Sequence, residues 1–102
     1  MALEKVASLA SLKPGDLKTI NANGRAICLA NVGGDILAID DKCTHVGGSL
    51  SLGTLDGDVV ECPFHGSRFN VRTGEVVQGP ARRPVPSYPV KVDGDDILVD
   101  LG

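Results

Sequence analysis

Short apolar segments and turn residues follow one another along most of the chain. Leu17–Ala22, Ala26–Val32, Ile36–Ile39, Val59–Glu61, Phe69–Val71, Tyr88–Val92 and Ile97–Leu101 are the apolar-rich segments. Pro14-Gly15-Asp16, Asn23-Gly24, Gly33-Gly34-Asp35, Asp56-Gly57 and Asp93-Gly94-Asp95 punctuate them. Asn-Gly and Asp-Gly favour the positive φ angles of tight hairpins. Tyr88, Val90 and Val92 alternate with Pro89 and Lys91, and Ile97, Val99 and Leu101 alternate likewise. That period of two predicts strands with one buried face. No segment carries a helical stripe longer than a turn or two; Leu3–Leu12, the one contender, reads as a strand followed by a turn. The pattern predicts an all-β chain.

The spacing of these signals divides the chain. Hairpins dominate residues 1–40 and 85–102, whereas 41–84 is rich in Gly and Pro with only short strands. The layout predicts a single domain over 1–102, in which a small subdomain is inserted into a β base. The inserted loops need an organiser other than a large core, and a metal centre supplies one. Composition agrees. A chain of 102 residues is long enough for one modest core. With aromatics at 3% that core must be aliphatic, and Gly 13 with Pro 6 suits turns rather than helices.

Charge and cysteine usage narrow the function. The net charge is −3 and no basic stripe exists, so nucleic-acid binding has little electrostatic support. The start, Met-Ala-Leu-Glu-Lys-Val, does not read as a secretory signal, and no apolar run approaches the length of a membrane span. The expected location is cytoplasmic, with no membrane partner. Three cysteines, an odd number, also disfavour a disulfide framework.

The candidate chemistry lies in two clusters, Cys43-Thr44-His45 and Cys62-Pro63-Phe64-His65, with sixteen residues between His45 and Cys62. They use both histidines of the chain. Gly47-Gly48 follows the first and Gly66 the second, which lets backbone wrap close to a bulky inorganic group. Thiolates with imidazoles suit zinc, copper or iron–sulfur centres. Zinc accepts two Cys and two His, but its common spacing pairs Cys with Cys and His with His along the chain. Here each loop offers one of each. A dinuclear cluster accounts for that division, because each loop can place its sulfur on one iron and its nitrogen on the other.

These two boxes resemble those of Rieske proteins, C-x-H and C-x-x-H, and the likeness runs on through Ser67, Arg72-Thr73-Gly74-Glu75 and Gly79-Pro80-Ala81. It covers about residues 41–84. The resemblance implies a Rieske-like antiparallel β sandwich or barrel base carrying a cluster-binding subdomain. It implies one [2Fe-2S] cluster per chain, with the Cys43 and Cys62 thiolates on a buried iron and the His45 and His65 imidazoles on an outer iron that is the one reduced. Ser67 would donate to a bridging sulfide, and the Gly79-Pro80-Ala81 segment would cover the cluster.

The departures carry information too. Rieske proteins of cytochrome bc complexes have an extra Cys in each box, joined as a disulfide; Gly48 and Phe64 stand there, so that bond cannot form. Phe69 stands where those proteins have a Tyr that bonds a ligand sulfur. Fewer hydrogen bonds stabilise the reduced, more negative cluster less, so the potential is expected near the low end of the range of about −150 to +300 mV for Rieske centres. This pattern resembles the ferredoxin components of bacterial ring-hydroxylating oxygenases. It implies a one-electron carrier, not an enzyme, between an NAD(P)H-dependent flavoprotein reductase and a terminal oxygenase. A small Rieske-type subunit of an assimilatory nitrite reductase is the alternative. A complete oxygenase is disfavoured, because its mononuclear iron needs two further histidines. Elsewhere, Cys28 reads as a small apolar strand residue, Arg82-Arg83 as a solvated pair, Asp40-Asp41-Lys42 as a solvated turn and Asp93–Asp96 as hairpin chemistry.

Overall fold

The computed structural model describes residues 3–43, 48–64 and 66–101. Its strands are β1 (Leu3–Ser8), β2 (Leu17–Ala22), β3 (Arg25–Val32), β4 (Asp35–Asp40), β5 (Thr54–Asp56), β6 (Val59–Glu61), β7 (Arg68–Asn70), β8 (Val76–Gln78), β9 (Ser87–Tyr88), β10 (Val90–Asp93) and β11 (Asp96–Asp100). Single 3₁₀ turns occupy Leu9–Ser11 and Leu50–Leu52. The all-β expectation holds. The strands form three antiparallel sheets, ordered β1-β11-β10, β2-β3-β4-β9 and β5-β6-β7-β8.

Turn chemistry fixes the register of the longest hairpin. Asn23 has φ 51 and Gly24 φ 74, the left-handed pair that joins β2 to β3 in a two-residue turn. The ladder then runs from Ala22↔Arg25 to Leu17↔Ala30.

β3 and β4 form the middle layer of the molecule. Ile27 and Leu29 of β3 join Ile36 and Ala38 of β4 and Ile97 and Val99 of β11 in one aliphatic core, with Leu12 and Ile20. Cys28, Ala30 and Ile39, which point the other way, join Cys43, Leu50, Val60, Cys62, Phe69, Val71, Ala81 and Val85 in a second core. A sheet covered on both faces reads as a continuous apolar run, and this is why Ala26–Val32 shows no alternation. The second core reaches from the middle sheet to the residues of both candidate boxes.

Two elements differ from the sequence expectation. Tyr88–Val92 does not form one strand: Ser87–Tyr88 pairs with β4, and Val90–Asp93 pairs with β11 in another sheet. The change of sheet falls at Pro89, which has no N–H to continue a ladder; its carbonyl accepts from the Asp100 N–H at 2.9 Å. The strands β5 and β8 were also not expected. Each is three residues long and takes its place from a neighbour, β5 from β6 and β8 from β7.

Candidate metal centre

The two boxes occupy the tips of two short antiparallel ladders. β4 continues past Asp40: the Asp41 carbonyl accepts from the Leu50 N–H at 2.7 Å, Lys42 and Ser49 form an isolated bridge, and the Cys43 N–H donates to the Gly48 carbonyl at 2.8 Å. The second ladder is β6–β7, with Glu61 opposite Arg68. Beyond that pair the Cys62 N–H donates to the Ser67 carbonyl at 2.7 Å, and the Gly66 N–H to the Cys62 carbonyl at 3.2 Å. Both loops are therefore closed in the same way: the N–H of the leading Cys is bonded to the carbonyl five residues on. His45 and His65 lie outside the described residues; in the sequence they fall within these two closed spans.

A third segment is tied to the second loop. The hydroxyl of Ser67, itself fully buried, accepts from the Ala81 N–H at 3.0 Å, and the Gln78 side-chain amide donates to the Gly66 carbonyl at 3.4 Å. Accepting through oxygen leaves the Ser67 O–H proton available for donation. Gly74, in the Arg72-Thr73-Gly74-Glu75 stretch, anchors the far end. It has φ +81, its carbonyl accepts from the Val85 N–H at 2.9 Å, and a Cβ there would lie 2.0 Å from the Val85 carbonyl oxygen. Only glycine meets both demands.

The donor chemistry fits an iron–sulfur group. Cys43 and Cys62 are both buried, share one core, and neither is in a disulfide. Gly48 and Phe64 are in close contact: a Cβ on Gly48 would lie 2.2 Å from Cδ2 of the Phe64 ring. The ring thus spans between the two loops at the positions where a disulfide had been excluded, while staying 59% exposed on its outer side. Phe69 is fully buried in the second core, opposite Val60 and Val76. Cys28 lies in the same core but on the middle sheet, and burial first, then the charge of Asp41, pushes its thiol from 9.0 up to about 12. Such a thiol is a small core residue, as expected. Arg82 and Arg83 are exposed.

One expectation is corrected. Asp40-Asp41-Lys42 is not a solvated turn. It prolongs the β4 ladder, so its side chains alternate: Lys42 is exposed, and Asp41 turns inward to 4% exposure. The Asp41 carboxylate accepts from the Ser49 hydroxyl at 2.5 Å and from the Ser51 N–H at 2.7 Å. The sequence reading missed Asp41, Ser49 and Ser51 because a charged residue beside a turn carries no local mark of burial.

The chain matches the Rieske [2Fe-2S] domain family over residues 3–89, and it belongs to that family. It is 44% identical over 101 residues to the ferredoxin component of biphenyl 2,3-dioxygenase from Rhodococcus jostii, covering 99% of this chain and 94% of the relative. Among solved structures it is similar to the ferredoxin of carbazole 1,9a-dioxygenase from Nocardioides aromaticivorans IC177, with TM-score 0.92, 36% identity, and 97% of both chains covered. It is also similar to a chain in the complex of reduced oxygenase and oxidized ferredoxin of carbazole 1,9a-dioxygenase, with TM-score 0.90, 40% identity, and 95% of this chain and 91% of that one covered. Among the described residues no helix is long and apolar enough to cross a membrane.

Proposed function

We propose that this chain is the Rieske ferredoxin of a multicomponent ring-hydroxylating dioxygenase, carrying single electrons from an NAD(P)H-dependent flavoprotein reductase to a terminal oxygenase. One observation carries the reading: two buried thiols, Cys43 and Cys62, head two loops closed by the same hydrogen bond and share a single core. In the proposed site Cys43 and Cys62 supply two thiolates, and His45 and His65 supply neutral imidazoles. When bound, the [2Fe-2S] cluster takes up and releases one electron. The protein's part is to hold it. The closed loops set the two sulfurs, Ser67 fastens the Gly79-Pro80-Ala81 segment across the second loop and can present its proton inward, and the Phe64 ring packs against Gly48 between the loops. Two thiolates and two neutral imidazoles leave the site two negative charges short of a four-thiolate set, which favours the added electron.

The same core arrangement supports reading 41–84 as the cluster-holding part and 1–40 with 85–102 as the base that carries it. The Rhodococcus jostii and Nocardioides aromaticivorans proteins named above are ferredoxins of dioxygenase systems, which favours this reading over a nitrite-reductase subunit. The cytoplasm, a reducing compartment, suits three cysteines without a disulfide. Anaerobically purified protein is expected to contain two irons and two acid-labile sulfides per chain, to absorb visible light, and to show nitrogen couplings from two imidazoles by pulsed EPR when reduced. One zinc per chain without sulfide overturns the assignment. Electron delivery is checked by adding the protein to a purified flavoprotein reductase and terminal oxygenase and following substrate-dependent NAD(P)H oxidation.

A further inference from the structure

Asp41 is a buried carboxylate whose job the fold alone does not explain. It is 4% exposed and lies two residues before Cys43. Among the described residues, one of its oxygens accepts from the Ser49 hydroxyl at 2.5 Å and the other from the Ser51 N–H at 2.7 Å. The two serine hydroxyls are 3.0 Å apart, and that of Ser51 also meets the hydroxyl of Thr19 on β2. None of the ion pairs among the described residues includes Asp41. Arg25 and Lys42 line the shallow surface recess beside it, yet neither comes within ion-pair distance of its carboxylate. The hydrogen bonds make its burial tolerable, but a neutral Asn could make two as well. The charge itself is what an Asn would lack.

A charge in that position acts inward. In a protein interior a fixed negative charge is screened far less than at the surface. Its reach is visible at Cys28, where the charge of Asp41 adds to burial in holding the thiol protonated. Cys28 shares its core with Cys43 and Cys62, and Asp41 lies two residues before Cys43 on the prolonged β4 ladder, which puts its buried charge beside the first loop. Any group there that becomes one charge more negative on reduction is disfavoured by that field.

We propose that Asp41 is a potential-setting residue: its buried, hydrogen-bonded carboxylate beside the first loop lowers the reduction potential of the proposed cluster, and the Ser49 hydroxyl moderates the effect by donating to that carboxylate. This rests on the Rieske reading above. Asp41 touches no reacting atom on this account; it acts through space, and it also braces the Cys43–Gly48 loop through the Ser49 and Ser51 contacts.

The test is a voltammetric midpoint for parent, Asp41→Asn and Ser49→Ala at one pH and one ionic strength. Asp41→Asn keeps the shape, can still accept from the Ser51 N–H, and can turn its amide toward the Ser49 oxygen. Its midpoint is expected to rise. Ser49→Ala keeps the charge and removes a donor that partly neutralises it, so its midpoint is expected to fall. Opposite shifts identify charge, whereas loosening of the loop moves both variants the same way. An unchanged midpoint in Asp41→Asn, or shifts of the same sign in the pair, overturns the proposal. Should Asp41→Asn fail to hold the cluster, Ser49→Ala decides alone: a lower midpoint supports the proposal, and an unchanged or higher one overturns it. Failure of the Rieske reading would show separately, as a parent protein with no iron or labile sulfide.

Discussion

At the scale of single residues, contact and hydrogen bonding make sharp demands. Gly48 is small because the Phe64 ring lies where its Cβ would be. The ring is largely exposed on its outer side, so Gly48→Ala should leave the fold intact and push the ring outward. Faster bleaching of the visible absorbance in air is the expected result, and adding Gly48→Ala to Phe64→Ala should cause no further loss, since the two act through one contact. Ser67 has a heavier role. Ser67→Ala orphans the Ala81 N–H, a buried donor whose loss of a partner costs about 1–3 kcal/mol. It also removes the O–H available to the cluster, so the midpoint should fall along with thermal stability. Phe69→Tyr should move the midpoint the other way, by an amount on the order of tens of millivolts, if its hydroxyl finds a ligand sulfur from a fully buried position. Both effects are read from midpoints measured beside the parent. Cys28 is the residue whose chemistry is silenced: its thiol, held up to about 12 by burial first, should resist alkylation in the native protein at pH 8–9 and react at once on denaturation. Because the folded state keeps a proton that the unfolded chain loses near 9.0, this thiol's contribution to stability is complete below that pH and declines as pH rises toward 12.

At the scale of elements, the two ladders explain why so short a sequence can organise two loops. Each ladder ends in a bond between the leading Cys N–H and a carbonyl five residues on, so the loop geometry is inherited from strand pairing. The connection after β7 depends on one position. Gly74 donates to the Asn70 carbonyl and accepts from Val85 while holding φ +81. Gly74→Ala should cost at least about 1–2 kcal/mol for the left-handed backbone alone, and the approach to the Val85 carbonyl adds to it. The expected outcome is a clear drop in the thermal midpoint together with loss of cluster occupancy, because Val85 and Ala81 both belong to the core around Cys43 and Cys62. Thermal melts and iron content per chain check it.

At the scale of the whole molecule, the two cores make the two faces of the middle sheet unequal. One face packs against β11 and its neighbours through Ile27, Leu29, Ile36 and Ala38; the other packs against the loop-bearing part through Cys28, Ala30 and Ile39. Between the first pair the packing is continuous and aliphatic. The second core has two thiols at its edge. Chelating the metal from the protein should therefore leave β2, β3, β4 and β11 protected while residues 54–81 exchange amide protons faster. Uniform loss of protection across all strands would show that the two cores rise and fall together. The exposed pair of Arg72 with Asp35 also joins the two parts, but at about 0–1 kcal/mol such a surface bridge is a minor strut.

Much of this was settled locally. The Asn-Gly and Asp-Gly turns, the alternation in Ile97–Leu101 and the two Cys/His boxes are properties of a few consecutive residues, and a turn or a ligand spacing acts before the chain is folded; these determined the all-β class and the candidate centre. The tertiary structure decided what depends on partners distant in sequence. Whether β3 is covered on one face or two depends on which sheets stack on it, so the meaning of its unbroken apolar run had to wait. The break at Pro89 places Tyr88 and Val90 in different sheets because their partners, β4 and β11, lie in different layers. The strands β5 and β8 exist because β6 and β7 offer them hydrogen bonds. The inward turn of Asp41 was decided the same way: the β4 ladder runs on to Cys43, and alternation along that ladder, together with Ser49 and Ser51 arriving opposite, made a surface-looking acid a buried one. Burial is a relation between segments, and no segment carries it alone.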